Sequence, residues 1–300
     1  MKLILKLAIV AACISPFACS NDAGSESAEA FPENNEVPAV QISQEVLSEM
    51  MQSLPQPIEI AQIISSSKMD ISKSVLIPSD YAEKYGDKYA QALAFGAYGV
   101  DLGYINLNNK TLYILEYLEG IKTLSEKLKV SQFFDFQTLS NLAKNRNNTD
   151  SLIQLSTQNF NKIDKFLREQ NRGELSVLIL IGAWMEGMNM FCEIYRQEKS
   201  KDIAKRLGEQ KVVFDNVSLL LDKLNKIPFY DKLGKSFNTV KSSYDSIQVS
   251  YKYNKPITQQ VNGQLVIKDQ TEMILTYTEQ NIQDLVKNLQ DMRNQYFLIK

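Results

Sequence analysis

Two carboxylates in apolar surroundings are the side chains best placed to do chemistry. Asp101 stands within Ala94-Phe95-Gly96-Ala97-Tyr98-Gly99-Val100-Asp101-Leu102-Gly103-Tyr104, and Glu186 within the run LILIGAWMEGMNMFC from Leu178 to Cys192. A carboxylate on a helix that is apolar nearly all round is buried and needs a donor. If the two helices are neighbours, Asp101 and Glu186 line a polar pocket with the rings of Tyr98, Tyr104 and Trp184. Such a pair could exchange protons with a glycoside, or hold a cation or an amine. The alternative is structural: Asp101 accepts from a tyrosine hydroxyl, and Glu186 begins a solvated stripe that continues through Glu193.

Both carboxylates must be positioned by helices that pack closely. At about 100° per residue Gly96, Gly99, Val100, Gly103 and Leu107 share one face, which lets another helix approach along a stripe nearly free of side chains. Each interior glycine costs about 1 kcal/mol relative to alanine, so tight packing must compensate. On the second helix Glu186 shares a face with Gly182, Asn189 and Glu193.

Composition narrows the chemistry further. The chain has no histidine, which removes Ser-His-Asp and Cys-His nucleophiles, helical His-Glu zinc sites and Glu-x-x-His di-iron sites. Neither a metal nor an organic cofactor is expected. The net charge of −2 becomes more negative once Lys2 and Lys6 leave with the leader, so nucleic acid is not an expected partner. Cys192, in an apolar helical run, reads as a buried small hydrophobe without a disulfide partner.

Residues 1–18 carry a basic start, Met1-Lys2 and Lys6, then a short apolar stretch from Leu7 ending at Pro16-Phe17-Ala18. This reads as a signal peptide, because the stretch is shorter than the roughly 20 residues of a membrane span. Cys19, after the small residue Ala18 and before a very polar tail, is the expected lipidation site. Cleavage before Cys13, after Val10-Ala11-Ala12, is the alternative, and a plain secretory cut near Ala18 is another. Residues 19–40, rich in Ser, Ala, Glu, Asn and Pro, read as a flexible acidic tether.

The run Cys19-Ser20-Asn21-Asp22 followed by Glu26, Glu29, Glu33 and Glu36 resembles the lipoproteins of Bacteroidota. There, acidic residues after the lipidated cysteine direct surface export. The phrases GVDLGY (Gly99–Tyr104) and WMEGM (Trp184–Met188) are similar to segments of a group of uncharacterised helical lipoproteins of Bacteroidota, which share an Asn-Gly meander and a closing helix. The resemblance implies fold and an outer-membrane location, on the periplasmic or the cell-surface face, and brings no activity with it. Imelysin-like helical lipoproteins are set aside because their metal-associated motif needs a histidine.

Residues 41–300 read as one domain of the mainly α class. The expected architecture is a multi-helix antiparallel bundle or stacked helical hairpins, with a small β-hairpin or meander at about 256–277 before the last helix. The spacing predicts helices over Ser43–Ser53, after Pro57, and over Asp87–Leu107, Lys110–Leu128, Asp135–Lys144 and Ser151–Gln170. Further helices are predicted over Glu174–Glu198, Asp202–Leu224, Asp231 to about Tyr251, and Thr278 to near Tyr296. Ser79 is expected to cap a short segment after Pro78, and Asn262-Gly263 to form a type I′ turn. Asp150-Ser151-Leu152 and Asp245-Ser246-Ile247 fit a short O-glycan acceptor pattern, and Lys199–Lys211 reads as a solvated face. The expected function is a lipid-anchored envelope module that binds a partner protein or holds a small ligand between helices. The alternative is a glycan-directed hydrolase using Asp101 and Glu186.

Overall fold

Pro57 opens the helix that runs to Ser66, where its missing N–H costs nothing, and Glu59 reaches back to the Gln56 N–H at 2.7 Å to complete the cap. The computed structural model describes residues 51–52, 54–143, 149–261, 264–268 and 270–298. The leader, Cys19, the tether, the start of the helix expected from Ser43 and the Asn262-Gly263 turn lie outside the described residues.

The helices in chain order are α1 (Pro57–Ser66), α2 (Lys88–Leu107), α3 (Ile114–Lys127), α4 (Phe136–Ala143) and α5 (Thr149–Glu169), then α6 (Gly173–Glu198), α7 (Lys201–Glu209), α8 (Lys211–Lys223), α9 (Pro228–Asp245) and α10 (Glu279–Phe297). Between α9 and α10 come β1 (Gln248–Lys252), β2 (Ile257–Val261), β3 (Gln264–Lys268) and β4 (Glu272–Thr276). Caps match the sequence: the Asp87 carboxylate accepts from the Tyr89 and Ala90 N–H groups at the start of α2. The Thr278 hydroxyl accepts from the Asn281 N–H at the start of α10. The fold is the mainly α body expected, with a small β element before the last helix. Val40–Lys300 forms one compact unit.

Four details differ from the spacing. The helix expected over Asp202–Leu224 is two, α7 and α8, which meet at Gln210. Pro228 sits at the first position of α9, which therefore starts before Asp231. That helix ends at Asp245, and the residues after it extend into β1. The pairing of β1 with β4, Gln248 opposite Thr276 and Lys252 opposite Glu272, is long-range in sequence and encloses the local β2–β3 hairpin. Finally, Ser79 does not cap. It begins a short 3₁₀ segment behind Pro78, and its hydroxyl donates to Glu116 Oε2 at 3.2 Å.

The centre of the body is the α2–α6 pair, the most extensive helix contact among the described residues. A Cβ added to Gly96 would fall 1.8 Å from the Ile179 carbonyl oxygen, and one added to Gly182 would fall 1.8 Å from that of Leu93. The two backbones touch reciprocally at these glycines. Further along, Gly103 meets Ala61 and Gly187 meets Ile60, adjacent residues of α1. The two helices therefore run in the same direction, and Asp101 comes level with Glu186. The expected glycine stripe of α2 thus serves two neighbours, α6 at Gly96 and α1 at Gly99 and Gly103. By length and composition α6 could cross a membrane, yet its apolar window is wholly buried inside the body.

Candidate functional site

A long connection, residues 67–87, runs between α1 and α2 and is apolar enough to be drawn inward, with Ile71, Leu76 and Ile77 buried. Buried irregular backbone must find partners for its N–H and C=O groups. The polar side chains of the bundle supply them. The Ile71 N–H donates to the Tyr104 hydroxyl at 2.7 Å, which in turn donates to the Met69 carbonyl at 3.3 Å. The Ile77 N–H donates to Asp101 Oδ2 at 3.1 Å, and the Ile77 carbonyl accepts from the Tyr117 hydroxyl at 2.7 Å. The Tyr98 hydroxyl donates to the Pro78 carbonyl at 2.6 Å. Its ring lies over Gly120 of α3, where a Cβ would stand 2.6 Å away.

Glu186 is fully buried, so the solvated-stripe reading of it fails. Its carboxylate is gripped by Arg293 of α10, Nε to Oε2 at 2.7 Å and Nη2 to Oε1 at 2.8 Å. Asn189 donates to the same Oε1 at 3.3 Å. Arg293 Nη2 and Asn189 Nδ2 also both donate to the Val75 carbonyl, at 3.1 and 3.2 Å. A buried ion pair is tolerated only when further hydrogen bonds satisfy its remaining atoms, and this one has them.

Asp101 is also fully buried, and its donor is the Ile77 backbone rather than a tyrosine. Its Oδ1 has no hydrogen-bond partner. Burial pushes its carboxyl well above the ordinary range, and the neighbouring Glu186 charge adds to this. Arg293 and the Ile77 N–H pull the other way without prevailing. Burial likewise raises the Tyr98, Tyr117 and Tyr85 hydroxyls, which stay neutral donors. Neutral phenols and a carboxyl biased toward its protonated form suit a place that water does not reach.

No protein-family model, curated protein or solved structure matches this chain.

Of the five residues expected to share a pocket, the structure brings Asp101 and Glu186 into one buried cluster, with Tyr98 beside Asp101. Tyr104 holds another part of the 67–87 connection. Trp184 is separate: two positions before Glu186 it points about 200° away around α6. It packs against Phe214 and Phe237, with ring centroids 6.1 and 5.8 Å away, and donates to Gln210 Oε1 at 3.2 Å. Arg293 was not foreseen, though one signal existed. It falls on the stripe of Leu285, Val286, Leu289 and Met292, a core position occupied by a charge. Cys192 is buried, and burial pushes its thiol up, as for an inert core cysteine.

A second feature lies on the other side of α2. A cleft of about 100 Å³ opens between α1, α2, α4 and α5, and its walls include Phe95, Gly99, Leu102, Asn106, Phe134 and Phe160. All seventeen residues lining it are uncharged.

Proposed function

We propose that this chain is a lipid-anchored module of the bacterial cell envelope. Its diacylated Cys19 holds a helical body at the outer membrane on an acidic tether, and the body acts by binding rather than by catalysis. The leader, the cysteine at its end and the acidic tail support the anchor.

The observation that carries binding over glycan hydrolysis is how the two carboxylates are used. Glu186 is paired on both oxygens with Arg293, and Asp101 receives the Ile77 N–H in full burial. A retaining or inverting glycosidase needs both carboxyl groups facing the scissile bond, with one free to take up and release its proton to the substrate.

The test is fractionation of cells expressing the full chain with Cys19 or with Cys19→Ser. Lipid anchoring predicts that the wild type sediments with membranes and that the processed serine variant is released. A processed serine variant that stays with the membrane overturns the anchor. Protease added to intact cells assigns the face. In-cell crosslinking that returns a defined envelope neighbour supports the binding role; turnover of envelope glycans that is lost in Glu186→Gln refutes it.

A further inference from the structure

We infer that the ribbon from β1 to β4 is a second membrane contact of this chain, lying at the headgroup level of an anionic lipid surface. The inference rests on the lipid-anchored reading above and names the surface that the body itself touches. Three observations carry it.

The first is where the exposed apolar side chains are. Among the described residues, five of the eleven large hydrophobic side chains that stay exposed lie on this ribbon: Tyr251, Tyr253, Ile257, Leu265 and Ile274. Tyr253 and Leu265 are 81% and 78% exposed. The root of the ribbon is docked, since Leu275 packs against Gly208 of α7. Val249 and Tyr251 stand opposite Leu275 and Met273 and share one face with them. That apolar face continues past the body, where the Tyr251 and Tyr253 rings lie side by side with centroids 6.5 Å apart.

The second is charge. From Ser246 to Lys268 the chain has three lysines, Lys252, Lys255 and Lys268, and no carboxylate, in a protein whose carboxylates outnumber its cations. With Asp269 and Glu272 counted the ribbon is still net positive. Protein interfaces are depleted of lysine, whereas tyrosine beside lysine suits a headgroup layer. There the ring enters the apolar boundary with its hydroxyl wet, and the lysine stem carries its charge to the phosphates. Two-stranded pairs with open edges cannot enter the hydrocarbon, where every backbone group must be paired. The contact is therefore at the surface.

The third is place. Gln52 and Leu54, at the start of the described body, line one hollow with Gln210 and Val213. Gly208, just before Gln210, carries Leu275 of the ribbon. The described body thus begins beside the α7–α8 junction from which the ribbon springs. Cys19 lies about 30 residues earlier, a length that spans roughly 30 Å as a flexible chain, so lipid on that cysteine keeps the ribbon within reach of the bilayer.

The test is co-sedimentation of the processed Cys19→Ser chain, which has no lipid of its own, with vesicles of equimolar phosphatidylcholine and phosphatidylglycerol and with vesicles of phosphatidylcholine alone. We expect binding to the anionic vesicles to be at least about tenfold tighter. Lys252→Gln with Lys255→Gln should weaken it about 30-fold, at about fivefold for each lysine near a charged surface. Tyr253→Ser with Leu265→Ser should weaken binding to both kinds about tenfold or more. Leu112→Ser, an exposed apolar position before α3, should not. Circular dichroism melting confirms that each variant is folded. No binding of the folded chain to the anionic vesicles, equal affinity for the two compositions, or a loss with Leu112→Ser as large as with the ribbon changes overturns the inference. So does a chain that self-associates through Tyr253 and Leu265 while its vesicle binding is untouched by their replacement. The lysine attraction is screened at molar salt, so a salt wash frees the serine variant from membranes and leaves the lipidated chain in place. The anchor and the ribbon contact therefore fail separately.

Discussion

Arg293 on the last helix closes a two-pronged ion pair on Glu186 of α6, at 2.7 and 2.8 Å, with both side chains almost fully removed from solvent. The same guanidinium also donates to the Val75 carbonyl. One side chain therefore ties the C-terminal helix, the central helix and the 67–87 connection together.

Removing one partner leaves a buried charge without compensation. Arg293→Met is expected to cost about 3–5 kcal/mol in urea denaturation. Adding Glu186→Leu to it removes the orphaned charge and should recover part of that loss, although the Val75 carbonyl then relies on Asn189 alone. Losses that simply add would mean the pair is not coupled.

Asp101 sets a pH dependence of definite sign. Its folded carboxyl is held above the ordinary value of about 3.9, chiefly by burial, so the folded state binds a proton that the unfolded state releases first. Its contribution is complete below the unfolded value and is lost as pH rises through the folded one. Asp101→Asn copies the protonated shape and does not titrate. The stability of the asparagine variant relative to wild type should therefore rise from pH 4 to pH 8. A difference that stays flat, or falls, would show that Asp101 is not held protonated.

The reciprocal glycines make a sharper packing prediction. Alanine at Gly96 or Gly182 gains about 1 kcal/mol of helix propensity but places a methyl group against an opposing backbone carbonyl that cannot step aside. Each should destabilise by at least about 2 kcal/mol net. Gly234 in α9 is the control: its added Cβ would make an ordinary 3.8 Å contact with Leu221, so Gly234→Ala should stabilise by about 0.5–1 kcal/mol. Thermal melts followed through Trp184, the chain's one tryptophan and fully buried, give all three values.

Where spacing is local, the sequence could be read. Asp87 and Thr278 announce their helices by capping, whereas the meeting of the two glycine-rich runs at Gly96 and Gly182 was only a condition in the sequence, and Gly99, Gly103 and Gly187 face α1 instead. The β2–β3 hairpin was visible from its turn residues. Its enclosing partner pair was not, because Gln248 and Thr276 are distant in the chain and β1 reads equally well as the tail of α9.

Asp101 was legible as a buried group in need of a donor, Glu186 was legible only as either a pocket residue or the start of a solvated stripe, and neither donor could be read. The one donor Asp101 receives is the Ile77 N–H, on Oδ2, and a backbone group carries no residue-type signal. Glu186 is satisfied by Arg293, whose helix looks amphipathic and ordinary unless the charge is noticed on its apolar stripe. Residues 67–87 lack a sustained helical period, and nothing in their spacing announces burial; their apolar side chains, Ile71, Leu76 and Ile77, carry the backbone into the core and oblige the bundle to supply polar partners.

That last relationship is the centre of the account: Asp101, Tyr98, Tyr104, Tyr117, Asn189 and the Glu186–Arg293 pair hold the 67–87 connection inside the body. Amide hydrogen exchange on Ile71 and Ile77 tests it most directly, because these N–H groups donate to Tyr104 and Asp101. The account predicts that both exchange as slowly as core amides of α2 and α6, by opening of the whole body. Exchange at the rate of an open surface loop would contradict it.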